Sequence, residues 1–391
     1  MAVNNMSIEQ AATVLSAIHS QVTGYSGVTP TDVSDFVSVA QATLQAGYDS
    51  VIAAISQVIS KTLIAVRPYN RKFKGLEVSN ERWGGITRKI NFADRGPMQD
   101  DTYALVDGSP VDQFVVRTPD VLETRYYGSN VYQGQYTIFT KQLDVAFSGP
   151  EAFAAFMSGL MTHFSNEREQ WLEDGARMIL MNLIAAKADA GIDVFHLLTE
   201  YNTVTGLSPA LDAQTVMQPD NFPAFVKWMY GRVANLSSLM TERSKLFQLE
   251  ITGKPILRHT PLEDQKVYLN SQFLNDMTAR VLADTYHENF LRYSDVEAVN
   301  FWQAIDDPLD VSCTPVYIDN TGTITVASGN VAVSDVIGVM FDRDAVGYNI
   351  YDDSIEASPY NAAGQYYNLF SHVRVQFQND LTEKAVVLCL D

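Results

Sequence analysis

The sequence predicts an α+β fold of several packed parts, and three observations carry that prediction. A long helix opens after Ser148-Gly-Pro-Glu151, short alternating strands bounded by Gly, Pro, Asp and Asn fill the stretch from Arg67 to about Phe147, and helices mix with strands from there to the end. At 391 residues the chain exceeds one ordinary core. With 46% hydrophobic and 19% charged residues, it has enough apolar material to offset chain entropy.

The N-terminal part reads as helical. Ser7-Ile-Glu-Gln10 has the capping-box spacing, in which the Ser and Gln side chains satisfy free N–H groups, so a first helix is expected to about His19. Gly24, Gly27 and Pro30 interrupt it; Thr31 or Asp32 caps a second helix ending near Gly47, and a third apolar-periodic stretch covers 51–65. Next come the strands Ile86-Thr-Arg-Lys-Ile-Asn-Phe92, Gln113-Phe-Val-Val-Arg117 and Tyr132-Gln-Gly-Gln-Tyr-Thr-Ile-Phe139, in which aromatic and basic residues interleave. Such a surface suits a long hairpin lying over a neighbour, or a nucleic-acid platform.

The helix after Ser148 has a second capping-box pattern with proline in its first turn, and no proline follows until Pro209. Apolar residues from Phe153 to Leu183 recur mostly at three- and four-residue spacing, while Asn166, Glu167, Glu169, Gln170 and Asp174 fill the other side. A helix over 149–190 is ~60 Å long at 1.5 Å per residue, the dimension of a strut. Further on, 220–236 and 270–283 read as helices, 265–269 as a buried strand, and Val316-Tyr-Ile318 with Thr323-Ile-Thr-Val326 as a hairpin turning at Asn320-Thr-Gly322. Strands are expected at 336–341, 372–377 and 385–389, the last two paired antiparallel.

Charge and motifs narrow the function classes. The formal net charge is −19, which disfavours conventional nucleic-acid binding. From Lys61 to Arg95, however, nine basic residues face three acidic ones, so that window is +6 and the remainder −25. A nucleic-acid contact, a solvated face and a charge-complementary contact with an acidic copy of the chain all fit the window; the third also accounts for the compensating charge elsewhere. Arg67, Arg71, Lys72, Lys74, Arg82, Arg88, Lys89 and Arg95 are therefore the candidate inter-subunit contacts, in the head-to-tail arrangement that opposite charges allow.

No catalytic residue, metal site or cofactor is expected. The six histidines lack i, i+4 metal spacing, there is no phosphate-binding or dinucleotide glycine loop, and Gly24-Tyr-Ser-Gly27 falls short of a nucleophile elbow. Asp100-Asp101, Asp306-Asp307 and Asp352-Asp353 read as solvated turns. Cys313 and Cys389 read as two buried thiols of a reducing compartment. Neither a signal peptide nor a membrane span is expected.

In the order of these features the sequence resembles the Hong Kong 97-type major capsid fold of tailed phages. The runs Arg71-Lys-Phe-Lys-Gly75, Ser148-Gly-Pro-Glu-Ala-Phe153, Val346-Gly-Tyr-Asn-Ile-Tyr-Asp352 and Gly364-Gln-Tyr-Tyr-Asn-Leu-Phe370 are similar to head proteins of the short-tailed phi-twenty-nine group. The resemblance implies an N-terminal helical arm over 1–66, an extended E-loop hairpin over 67–112, a P domain over 113–199 with its spine helix at 149–190, an A domain over 200–340, and a return to the P domain over 341–391. It further implies a non-enzymatic subunit that self-assembles into an icosahedral shell of hexamers and pentamers around double-stranded DNA, in the cytoplasm of a bacterial host. DNA then lies near the wall without specific contact. A portal protein and a separate scaffolding protein are the expected partners, the latter because only some 66 residues precede the basic hairpin. No Lys–Asn pair is assigned to the covalent cross-linking known in part of the family, and no appended immunoglobulin-like module is expected. A nanocompartment shell of the same fold, another virion part such as a portal, and a hydrolase using paired carboxylates stay open as alternatives.

Overall fold

The computed structural model describes residues 7–25, 29–61, 69–78, 86–97, 106–108, 114, 116–128, 130–281 and 296–391. In chain order the elements are α1 (Ile8–Thr23), α2 (Val33–Gln45), α3 (Tyr48–Lys61), β1 (Ile86–Phe92), β2 (Val121–Tyr127), β3 (Asn130–Phe139), α4 (Thr140–Ala146) and α5 (Pro150–Asp189). They continue with β4 (Val194–His196), α6 (Leu197–Thr205), α7 (Ala213–Val216), α8 (Phe222–Thr241), β5 (Gln265–Asn270), α9 (Ser271–Val281) and β6 (Val296–Val299). Strands complete the chain: β7 (Val311–Cys313), β8 (Val316–Ile318), β9 (Ile324–Val326), β10 (Val331–Val333), β11 (Val336–Asp342), β12 (Val346–Ala357), β13 (Tyr366–Asn379) and β14 (Ala385–Cys389).

The chain divides into two compact units, one of Met1–Gly85, Gly128–Gly175 and Tyr348–Gln376, the other of Ile86–Tyr127, Ala176–Gly347 and Phe377–Asp391. In the first unit, α1 begins at the expected capping box, with Ser7 Oγ accepting from the Gln10 N–H and Gln10 Oε1 accepting from the Ser7 N–H. It runs one turn beyond His19 and stops where Gly24 takes φ +78°. Asp32, one of the two expected caps, starts α2 by accepting from the Asp35 N–H at 2.8 Å. The third helix is α3; the expected residues 62–65 lie outside those described. Ala11, Leu15 and Ile18 of α1, Phe36 and Ala40 of α2 and Ile52, Ile55 and Ile59 of α3 share one core with Phe153, Met157, Leu160, Met161 and Phe164 of α5 and with Ile138, Tyr367 and Leu369. The three-stranded sheet of this unit has the order β12-β13-β3. At Gly134 of β3 a Cβ would stand 2.7 Å from the Trp171 ring and 2.8 Å from Glu167 Oε2, so glycine permits the sheet's close approach to α5.

The long helix is present as expected, but Ser148 does not cap it. Its hydroxyl donates instead to the Val145 carbonyl at 2.6 Å, because α4 ends just upstream and Ser148 belongs to that exit turn. Carbonyl groups at a helix end need donors, and the nearer ones win.

The second unit is built on a five-stranded sheet of order β4-β14-β11-β5-β6. Every residue of β11 and β14 is buried, which explains their unbroken apolar runs: covered on both faces, they have no solvent side to alternate toward. Leu198, Tyr201, Phe222, Phe225, Met229, Leu236 and Phe273 of α6, α8 and α9 pack on it. α8 is a turn longer than the expected 220–236, and Asn270 Oδ1 caps α9 by accepting from the Gln272 N–H at 2.9 Å. The β8–β9 hairpin forms in the expected place, with Gly322 at φ +82° in its turn.

Three further expectations are corrected. The strands near 372–377 and 385–389 do not pair with each other: β13 pairs with β3 from Tyr366–Phe139 to Val375–Asn130, and β14 lies between β4 and β11. The turn between them redirects the chain from one sheet to another instead of closing a hairpin, with Asp380 Oδ1 accepting from the Thr382 N–H and hydroxyl. The strand expected at 113–117 is not seen in Phe114, Val116 or Arg117, while 113 and 115 lie outside the described residues; the partner of β1 is β2, beyond the 67–112 range expected for the hairpin. Of the two cysteines only Cys389 is buried; Cys313 is half-exposed with Sγ 3.6 Å from the Met181 carbonyl oxygen.

Candidate assembly surface

The basic residues singled out by the sequence fall into two physical classes. Arg71 is buried in the first unit. Its Nη1 donates to both carboxylate oxygens of Glu169 at 2.6 and 2.7 Å, its Nε to the Tyr348 hydroxyl at 2.7 Å, and Nη2 pairs with Glu77. One planar guanidinium thus ties α5, β12 and the short segment 69–78 together, a use of its fixed fork that lysine cannot copy. The same segment meets α5 at Asn166, which accepts from the Tyr69 N–H at 2.9 Å, and at Glu173, which accepts from the Tyr69 hydroxyl at 2.6 Å. Asn166, Glu169 and Glu173 are spaced three and four residues apart, so they form one face of the helix. Lys72 and Lys74 lie in this segment and are exposed. Arg67 and Arg82 lie outside the described residues.

Arg88, Lys89 and Arg95 belong to the second unit, on or just after β1. This strand and β2 form a two-stranded antiparallel ribbon in register from Ile86–Tyr127 to Phe92–Val121. Alternation sends successive side chains to opposite faces. On the outer face stand Arg88, Ile90, Phe92, Val121, Glu123, Arg125 and Tyr127, with Ile90 53%, Phe92 62% and Tyr127 70% exposed. Glu123 lies between two arginines, accepting from Arg125 Nε at 2.8 Å and Arg88 Nε at 2.6 Å; these hydrogen bonds hold its carboxyl down at about 2. Arg95 is exposed, donating to the Thr118 carbonyl with Asp120 3.6 Å away.

The inner face of the ribbon is ionic. Lys89 Nζ is 3.0 Å from Asp380 Oδ2 and pairs also with Glu383, while Arg258 Nη1 reaches Glu383 Oε1 at 2.9 Å and Asn91 Oδ1 at 2.9 Å. Asp380 and Glu383 are 2% and 6% exposed. Burial alone would raise both carboxyls; at Asp380 Lys89 and Thr382 more than offset it and the group lies below its ordinary value, whereas at Glu383 burial prevails and the group lies above. Burial opposes the charge of Lys89 too, but the two carboxylates win and its ammonium is held above the ordinary value.

Sequence reasoning missed Glu77, Glu169, Tyr348, Glu123, Arg125, Arg258, Asp380 and Glu383 as partners. A signal existed for the ribbon alone, where the alternation of β1 already separates Arg88, Ile90 and Phe92 from Lys89 and Asn91. Among the described residues no group of three or more His, Cys, Asp or Glu is arranged to hold a metal ion, and no helix is long and apolar enough to cross a membrane.

A family model described as Phi29-like phage major capsid protein matches residues 12–389. The chain belongs to that family. It is a major capsid protein, a subunit of a phage shell, as the resemblance to the phi-twenty-nine group implied. Two solved structures share the capsid fold at low identity. One is the capsid structure of Staphylococcus phage Andhra, with TM-score 0.55 at 10% identity, covering 84% of this chain and 86% of that one. The other comes from the structure of the head fiber and inner core protein gp22 of native bacteriophage P68, with TM-score 0.54 at 10% identity, covering 84% and 87%. No curated protein sequence matches the chain significantly. At one residue in ten, the likeness is one of the arrangement of helices and strands.

Proposed function

We infer that this major capsid protein builds an icosahedral head of hexamers and pentamers around packaged double-stranded DNA, through heterologous contacts in which the β1–β2 ribbon of one subunit overlaps an acidic surface of the next. The observation that carries the inference is the outer face of the ribbon, where Ile90, Phe92, Val121 and Tyr127 stand exposed beside Arg88 and Arg125. Clustered apolar side chains in water favour burial against a partner, and flanking cations favour an acidic one. Lys72, Lys74 and Arg95 are exposed and add to the same attraction; Arg67 and Arg82 are proposed to do so as well.

In this reading α1–α3 are the N-terminal arm, the ribbon is the core of the E-loop, α5 is the spine of the P domain, the five-stranded sheet with its helices, β14 included, is the A domain, and β12 and β13 are the return to the P domain. The role is structural and non-enzymatic. Scaffolding and portal proteins complete the assembly in the bacterial cytoplasm, and DNA lies near the wall without specific contact.

Electron microscopy of the purified protein, alone and with a scaffold protein encoded beside it, tests the reading. Closed shells are expected, and particles isolated from an infected host should enclose DNA. Rings of about a dozen subunits, or host-derived shells that hold an enzyme cargo in place of DNA, would overturn it. Charge reversal at Arg88 and Arg125 together is expected to block shell formation while leaving the subunit folded.

A further inference from the structure

We propose that Lys89, Arg258, Asp380 and Glu383 form an ionic latch that fixes the position of the β1–β2 ribbon on the body of its own unit, and that opening the latch frees the ribbon as an intact element. Four observations support this. The ribbon is its own two-stranded sheet, and among the described residues its strands pair only with each other, so no ladder of backbone hydrogen bonds anchors it to the five-stranded sheet. Among the described residues its apolar seating is Leu122 against Ile251, Ile256 and Ile318. The other ties are polar and include Asn91 to Arg258, Tyr126 beside Asp380, the Asp94 N–H to the Pro255 carbonyl at 2.7 Å, the Asp94 carboxylate to Arg243 and to the Leu257 N–H at 2.6 Å, and Lys254 Nζ to the Val121 carbonyl at 2.8 Å. Beside it lies a cleft of about 460 Å³, lined by Lys89, Asn91 and Phe92 of the ribbon and by Leu257, Arg258 and Glu383 of the body, which gives the ribbon room to shift.

An element seated mostly by apolar packing separates only at the cost of all its buried area. An ion cluster behaves differently. Complete, it is close to neutral in net stability, because desolvation cancels much of the attraction; deprived of one member, it leaves an uncompensated buried charge. Its geometry is also specific, since Lys89 must sit between two carboxylates and Arg258 must face Glu383 and Asn91 together. Such a contact defines one position sharply and yields another when its charges are rebalanced. A shell subunit that meets neighbours in non-equivalent positions has a use for an arm of that kind. That use rests on the shell reading, whereas the latch itself is tested in the unassembled chain.

The test places spin labels at Ile90→Cys on the outer face of the ribbon and at Leu262→Cys on the body, both exposed, with Cys313 replaced by Ser. Pulsed electron-spin measurements on the full chain then give the separation, and hydrogen exchange of the β1–β2 amides reports the ribbon's own pairing. One narrow separation is expected in this background. Adding Lys89→Met should replace it by a broad or shifted distribution with unchanged β1–β2 protection, and Lys89→Arg should restore it. If Lys89→Met does not fold, Glu383→Gln, which keeps shape and the Lys89–Asp380 pair, should broaden the distribution to a lesser degree. A narrow separation retained in the variants that fold refutes the latch. Loss of β1–β2 protection along with the distance change refutes it too, because the cluster would then hold the ribbon together and not its position.

Discussion

Replacing Arg71 by methionine keeps most of the side-chain volume and removes the charge, and the structure says what is left behind. Glu169 loses the nitrogen that donates to both its oxygens and keeps Arg168 at 3.1 Å, Glu77 loses its one ion pair among the described residues, and the Tyr348 hydroxyl loses a donor. Removing one member of a buried ion pair costs about 3–5 kcal/mol. The side chain of Arg71 is 5% exposed, but those of Glu169 and Glu77 are 15% and 23% exposed, so water recovers part of the loss and the low end, about 3 kcal/mol, applies. The assay is urea unfolding of the unassembled chain followed by far-ultraviolet circular dichroism, with the midpoint falling and the slope unchanged. Arg71→Lys should recover less than half, since a single ammonium cannot span three acceptors at fixed angles. Combining Arg71→Met with Glu169→Gln should cost less than the two changes added, by at least about 1 kcal/mol, because the second removes the carboxylate that the first leaves to Arg168 alone. A loss below about 1 kcal/mol for Arg71→Met, or full recovery with lysine, would show that the fork is not what joins the segment 69–78 to α5.

Gly134→Val should destabilise the first unit by about 1–3 kcal/mol in the same unfolding assay, because its Cβ meets Trp171 and Glu167 inside contact distance. Ser148→Ala should be neutral to within about 0.5 kcal/mol, whereas Asp32→Ala should cost about 1 kcal/mol, since only Asp32 accepts from its helix's N–H groups. Lys89 gives a pH signature: its folded value is raised, so the stability it confers is complete below its ordinary value of 10.5 and is lost as pH rises through the higher folded value. Unfolding curves measured across that range should show the gap between the parent chain and Lys89→Met closing only above about pH 10.5.

How far the fold was legible depends on whether the deciding partner lay nearby in sequence. The capping boxes, the apolar period of α5 and the alternation of β1 are local, and the helices and most strands follow from them. Strand pairing is not local. The nearness of β13 and β14 suggested a hairpin, but the true partner of β13 is β3, with Asn368 and Thr137 joined side chain to side chain across 231 positions. The charged turn Asp380-Leu-Thr-Glu-Lys384 was illegible for the same reason. Its composition is that of a surface turn, yet all five residues are buried, since their partners come from β1, from Arg258 and from the Glu242–Ser244 stretch, where Lys384 Nζ donates to the Glu242 carbonyl at 2.8 Å.

That distinction changes what the +6 of the basic window means. A count of charges treats Arg71 and Lys89 as equal to Arg88 and Arg95. In the folded chain Arg71 is buried and Lys89 partly buried, each against carboxylates of its own subunit, where a neighbour's field is already cancelled at short range; the second two, with Lys72 and Lys74, face solvent. The charge available for assembly is therefore smaller than the sequence total and confined to the exposed members. Neutralising Arg88 and Arg125 should slow shell formation and weaken its salt dependence, measured by light scattering against ionic strength, while neutralising Arg71 or Lys89 should act through stability and leave the salt dependence of the surviving folded protein unchanged. If Lys89→Met instead reduces that salt dependence as much as neutralising the exposed pair does, the ammonium must leave its carboxylates when subunits meet, and the buried and exposed classes merge into one during assembly.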